Sequence, residues 1–221
     1  MKYRYLSYPI EEAMPVYGGI AKIRLAPVRS IPRGDTANVY KFSMENHWGT
    51  HVDAPRHFFT KGRSVTDYPA WNWVFYLPTV INIDLGASDI LRTGEWIGEI
   101  KESTDIILFR AGWSGFRKTE KYIYDNPGIE PEVGLQLRKK FPKLRAVGID
   151  WISISSYKNR ELGHQAHKAF LDPEGENDPV LLVEDMDLSG DLSGLQGLVI
   201  SPLIVSGIDS APSTVLGAFN D

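Results

Sequence analysis

Three of the five histidines in this 221-residue chain fall within one short stretch, at His47, His51 and His57, with Asp53 between them. Residues 46–59 read NHWGTHVDAPRHFF. Gly49 and Pro55 argue against a helix there, because one adds backbone entropy and the other removes a donor. On an extended chain successive side chains alternate faces, so His47, Gly49, His51 and Asp53 share one face by parity. Two imidazoles and a carboxylate then project together, with Gly49 leaving space between them. Pro55 ends the strand and lets His57 approach from a turn. Such nitrogen and oxygen donors suit Zn²⁺, and also Mn²⁺ or Fe²⁺. Three protein ligands leave a position open for water, the arrangement of a catalytic metal. The alternative is a hydrogen-bonded structural cluster, and spacing alone leaves both readings open.

Composition narrows the field. There are no cysteines, which removes disulfides, thiolate nucleophiles, zinc fingers and iron–sulfur clusters. Lys+Arg is 24 and Asp+Glu is 28, a formal net charge of −4 without a run of five like charges, so no nucleic-acid partner is expected. Hydrophobic residues make up 43%, enough apolar surface to offset the entropy of ordering the chain. No stretch approaches the ~18–20 apolar residues of a spanning helix, and residues 1–10 carry no apolar segment of signal-peptide length. The expectation is a cytoplasmic protein without membrane contact.

The elements that must position the histidines are legible in outline. No repeat or Pro/Gly/Ser-rich linker divides the chain, so residues 1–221 are read as one domain. β-branched content and turn residues mark strands at 21–25, 37–43, 79–85, 105–110, 146–150, 180–183, 198–201 and 213–219. Residues 130–141 read as a helix, with acidic residues early, basic residues late and Pro142 after it. A second helix is expected over 162–171. Strands and helices intermix, which predicts an α/β domain with a mixed sheet.

The segment HWGTHVDAPRHF resembles the H-x-G-T-H-x-D-x-P-x-H-F signature of the metal-dependent cyclase family, which includes bacterial kynurenine formamidases and isatin hydrolases. It matches at every fixed position. Weaker similarity continues through HFFTKGRSVTDYP, MPVYGG at 14–19, GHQAHKAFL at 163–171 and LLVED at 181–185. The resemblance implies a swivelling β/β/α fold, with a barrel-like sheet flanked by helices. It implies that His47, His51 and Asp53 bind a first metal, and that His167 and Glu184 complete a second site, with Asp53 and Glu184 shared. His164 competes with His167 on the same helical face. Residues 173–179 look like an insertion that lengthens the spacing to Glu184. The resemblance makes His57 the general acid/base and places Tyr17 in the substrate pocket. The chemistry implied is metal-assisted hydrolysis of a C–N bond in a small amide, formamide or cyclic imide. One or two zinc ions, or manganese, would serve it in a homodimer or homotetramer. The alternatives are an isomerase or dehydratase using the same metal, and a non-catalytic binding protein.

Other residues carry less. Arg56 is expected to reach solvent, and Trp48 to pack in a core or between subunits. Trp71, Trp73, Phe75 and Tyr76 suggest core or oligomer packing rather than a substrate pocket. Ser155 and Ser156 lack the context of a serine nucleophile.

Overall fold

The structure, a computed structural model, describes residues 1–19 and 22–220. Its strands are β1 (Lys2–Tyr5), β2 (Arg24–Arg29), β3 (Val39–Ser43), β4 (His51–Asp53), β5 (Val74–Phe75), β6 (Pro78–Asn82), β7 (Ile90–Leu91), β8 (Ile106–Arg110), β9 (Gly128–Ile129), β10 (Ala146–Ile149), β11 (Leu181–Glu184), β12 (Leu195–Pro202) and β13 (Ser210–Phe219). The helices are α1 (Glu120–Tyr124), α2 (Pro131–Lys140) and α3 (Arg160–Leu171).

Nine strands form one mixed sheet in the order β5-β12-β13-β4-β11-β10-β8-β6, with β1 added beside β13. From β6 to β11 neighbouring strands run parallel, and from β11 through β4 to β5 they run antiparallel. The two ends of this order, β5 and β6, are separated by only two residues in sequence, so the sheet curls until its edges nearly meet. The barrel-like mixed sheet expected for this chain is the one observed. The parallel strands are continuous apolar runs, IILF in β8 and LLV in β11, because both faces are covered. Helices α2 and α3 pack on each other and cover part of the outside. Gly134 makes this possible: a Cβ there would lie 3.0 Å from the Phe170 ring.

Most expected elements are present with shifted ends. The strand expected at 21–25 begins at Ala21, outside the described residues, and the observed β2 starts at Arg24. Strand β13 starts three residues earlier than expected, at Ser210, because β4 pairs with that extension. The largest departure concerns the histidine segment. Only His51–Asp53 is extended, while residues 46–50 form a turn in which Gly49 has φ +71°. Gly49 therefore serves a left-handed turn rather than opening space between two imidazoles on one strand.

Strands β2 and β3 form a separate hairpin whose strand residues are all exposed. Leu25, Val28, Val39, Tyr40 and Phe42 project from it. Trp48 packs with Met14, Val16 and Ile23 in a small core of its own. Trp73 and Phe75 are buried, whereas Trp71 and Tyr76 are largely exposed. No helix among the described residues is long and apolar enough to cross a membrane.

Candidate metal centre

Strand β4 lies at the seam between the parallel and antiparallel halves of the sheet, and register does much of the positioning. Glu184 on β11 stands directly opposite His51. Ser210 on β13 stands opposite Asp53. Directly opposed residues on neighbouring strands present their side chains to the same face. His51 and Asp53 share that face by parity, while Val52 points the other way into the core. His47 arrives from the turn before β4, and His57 from the single 3₁₀ turn Pro55–His57 after it. His167 comes from the middle of α3.

These side chains meet in a buried cluster. His51 Nε2 is 3.5 Å from Asp53 Oδ1 and 3.5 Å from Glu184 Oε2. His167 Nε2 is 3.7 Å from Asp53 Oδ2 and 3.4 Å from Glu184 Oε1. Each carboxylate thus turns one oxygen towards His51 and the other towards His167. His47 Nδ1 lies 3.0 Å from Asp53 Oδ1. On the far sides of their rings, His51 Nδ1 donates to the Gly49 carbonyl at 2.8 Å and His167 Nδ1 donates to the Gly163 carbonyl at 2.8 Å. A carbonyl only accepts, so both rings must carry their proton on Nδ1. Both Nε2 atoms then aim at the carboxylates. This outer support is the kind that orients imidazoles as metal ligands.

Electrostatics place strongly interacting charges here. Burial opposes charge on His167, but hydrogen bonds to Asp53 and Glu184 outweigh it and hold the ring at about 10. Burial likewise opposes charge on His47, and Asp53 with Asp209 raises it to about 10. Burial would raise the Asp53 carboxyl, but His51 and His47 hold it well below the ordinary carboxylate range. Despite these neighbours, Asp53 Oδ1 is buried with no aligned hydrogen-bond donor. A buried carboxylate oxygen without a donor, facing converging imidazole nitrogens, fits a divalent cation better than a closed hydrogen-bond network. His47, Asp53 and His57 form one set of atoms close enough to share an ion, and His51, Asp53 and Glu184 another.

Residues 5–156 match the family model described as a putative cyclase. The chain belongs to the cyclase family. Over 94% of its length it is 25% identical to a protein of Bacillus anthracis named kynurenine formamidase, covering 92% of that protein. It is also 25% identical to cyclase-like protein 2 of Oryza sativa subsp. japonica, over 94% of this chain and 75% of that one. Isatin hydrolase A from Labrenzia aggregata superimposes with a TM-score of 0.79 at 22% identity, over 98% of this chain and 93% of that one. A structure described as a potential metal-dependent hydrolase with cyclase activity gives a TM-score of 0.76 at 24% identity, over 100% and 98%.

The cyclase-family match ends before α3, so the placement of His167 and Glu184 rests on tertiary structure. His167 is buried in the cluster, whereas His164 is exposed beside the Phe58 ring. Residues 173–179 form an outlying loop that leaves Glu184 in register with His51. Tyr17 packs edge-on to Tyr157 with its hydroxyl buried and unpartnered. Burial pushes that hydroxyl up to about 12, against the pull of Arg160, and the Glu184 carboxylate is among the charges acting on it. Arg56 is exposed, as expected. Ser155 Oγ lies 3.4 Å from His167 Nδ1, behind the ring.

Sequence reasoning missed Asp209. Its Oδ2 accepts from His57 Nδ1 at 2.8 Å and from His47 Nε2 at 2.9 Å, and its Oδ1 accepts from Asn46 Nδ2 at 2.8 Å. Hydrogen bonds from His47 and His57 hold it far below the ordinary carboxylate range. The sequence signal for it was slight: an aspartate two residues after Gly207 and four before the strand expected at 213–219.

Proposed function

We propose that this chain is a metal-dependent amidohydrolase that cleaves a C–N bond in a small amide, formamide or cyclic imide. The observation that carries this reading is a buried set of imidazole and carboxylate donors with one further histidine, His57, beside it. His47, His51, Asp53, His167 and Glu184 would hold the metal. Because Asp53 and Glu184 each divide their oxygens between His51 and His167, two ions per chain fit this arrangement. Zinc is the favoured metal, and manganese fits the same donors. A divalent ion bound here supplies Lewis-acid polarisation of the carbonyl and a more acidic water.

The chain's own residues supply the rest. His57 takes a proton from the attacking water as the C–O bond forms. It returns that proton to the nitrogen as the C–N bond breaks, because an unprotonated amine is a poor leaving group. Tyr17, kept neutral by burial, would contact the substrate as a hydrogen-bond donor. The names of the formamidase and isatin hydrolase relatives support a small amide as the substrate.

Metal content of protein purified without added metal or chelator tests the reading, alongside His51→Ala. One to two equivalents of zinc or manganese, lost in the variant, is the expected result. Aryl formamides and cyclic imides are then screened in ¹⁸O-labelled water. Label in the product supports hydrolysis, whereas turnover without label would make the protein an isomerase or dehydratase. A protein that neither carries nor takes up Zn²⁺ or Mn²⁺ would sink the proposal.

We also propose a homodimer or homotetramer. The exposed β2–β3 hairpin supports it, since an isolated two-stranded hairpin is at best marginally stable in water. Replacing Tyr40 and Phe42 by serine should lower the sedimentation coefficient to that of a single chain. An unchanged value would leave the hairpin outside any interface.

A further inference from the structure

We propose that Asp209 is the positioning residue of this site, one carboxylate oxygen fixing the orientation and proton placement of both His57 and His47. The inference rests on the hydrolase reading for its chemical meaning, and on geometry for its substance.

The placement of Asp209 is over-determined. The chain turns at Gly207, with φ +78°, and enters β13 at Ser210, paired with Asp53. The Ile208 carbonyl accepts from Val65 N–H at 3.2 Å, and the Asp209 carbonyl accepts from Ala54 N–H at 2.9 Å. The Ala54 carbonyl in turn accepts from His57 N–H at 2.9 Å. One residue, Ala54, therefore anchors both Asp209 and the turn that carries His57. Asn46 Nδ2 bonds to Asp209 Oδ1 and to the Ser210 carbonyl, which stops the carboxylate from rotating.

The consequences follow from donor and acceptor chemistry. An ionised carboxylate only accepts hydrogen bonds. The nitrogens that contact Oδ2, His57 Nδ1 and His47 Nε2, must therefore both carry protons. In the neutral rings that leaves Nε2 of His57 and Nδ1 of His47 without a proton, the latter 3.0 Å from Asp53 Oδ1. The two rings stand side by side, centroids 4.1 Å apart and tilted by 36°, as sharing one oxygen requires. The same carboxylate thus presents one histidine as a base and turns the lone pair of the other towards the candidate metal centre. When His57 Nε2 takes the water proton, the imidazolium is balanced by Asp209. The proton then leaves from Nε2 to the departing nitrogen, and Asp209 stays ionised throughout. A carboxylate that orients the base of a hydrolytic site in this way belongs to the logic of oriented nucleophile–base pairs.

The test compares wild-type, Asp209→Asn and Asn46→Ala proteins loaded with zinc. An amide at position 209 is nearly isosteric, but it can place its NH₂ against one of the two rings and carries no charge. For Asp209→Asn, kcat should fall roughly 10²–10⁴-fold with KM little changed and zinc content retained. Asn46→Ala, which loosens the carboxylate without removing it, should lower kcat by a smaller factor. Long-range ¹H–¹⁵N spectra report the tautomer independently of activity. His57 should be protonated on Nδ1 in the wild type and should lose that preference in Asp209→Asn. An unchanged His57 tautomer in Asp209→Asn would overturn the proposal, and zinc lost in proportion to activity would overturn its His57 part by reducing Asp209 to a support for His47. If the wild type cleaves none of the amides screened, the hydrolase reading fails, and the spectra alone decide whether Asp209 sets the tautomers.

Discussion

Without a metal ion, the protein's stability should fall steeply as the pH rises from about 6.5 to about 10. His167 is fully enclosed, and in the metal-free site it is held at about 10 by Asp53 and Glu184 despite its burial. In the unfolded chain it returns to about 6.5. A histidine raised on folding contributes stability that is complete below the unfolded value and disappears as the pH passes through the folded value. Between those limits the native state binds one proton more than the unfolded state, a slope of about 1.4 kcal/mol per pH unit. Going from pH 7 to pH 9, His167 alone therefore removes about 3 kcal/mol. At ~2–4 °C per kcal/mol for a chain of this length, Tm should drop by roughly 6–12 °C. His47, with 28% of its side chain exposed, adds in the same direction but less, because solvent screens its contacts. The assay is thermal unfolding of EDTA-treated protein across this range, beside the zinc-loaded protein. Bound zinc takes the place of these protons, so the zinc-loaded Tm should not show the drop and the gap between the two should widen with pH. A metal-free Tm that stays flat from pH 7 to 9 would refute the picture of imidazoliums locked between carboxylates.

Three further outcomes follow from the geometry. His57→Ala should lower turnover by about 10²–10⁴-fold while metal content stays at the wild-type level, and loss of metal would make His57 a ligand instead. Gly163→Ala should destabilise the protein by about 1–3 kcal/mol and reduce zinc occupancy, both measurable by thermal unfolding and elemental analysis. A Cβ there falls within 2.5 Å of Ser155 Cα, so α3 must move, and the Gly163 carbonyl that orients His167 moves with it. Arg117→Met should cost about 3–5 kcal/mol in chemical denaturation, because it strands a buried carboxylate. Asp185, held at φ +52° immediately after Glu184, receives two bonds from Arg117 and one from the Tyr122 hydroxyl at 2.6 Å.

How much of this was legible in the chain depends on how local each feature is. The parallel strands β8, β10 and β11 are apolar runs wherever they occur, and α2 carries its own charge gradient and a proline stop. The parity of His51 and Asp53 is a property of three consecutive residues, and it held. The extension of that parity to His47 did not, because Gly49 turns the backbone before β4 begins. The start of β13 lies earlier than its local sequence indicates, for a different reason. Ser210 is extended because β4 pairs with it, and β4 is 157 positions away in sequence.

The sequence by itself determined the imidazole and carboxylate groups on offer, the absence of cysteine, the family signature around His51 and the mixed α/β character. These are properties of single residues and short windows. The tertiary structure decided which distant groups join them. It selected His167 over His164 by the face of α3 that packs inward. It brought Glu184 opposite His51 through strand register, and it delivered Asp209 to two histidines at once. Those choices depend on pairing and packing between segments far apart in the chain. They are made only when the sheet closes around β4, since no local preference of His167, Glu184 or Asp209 encodes its partners.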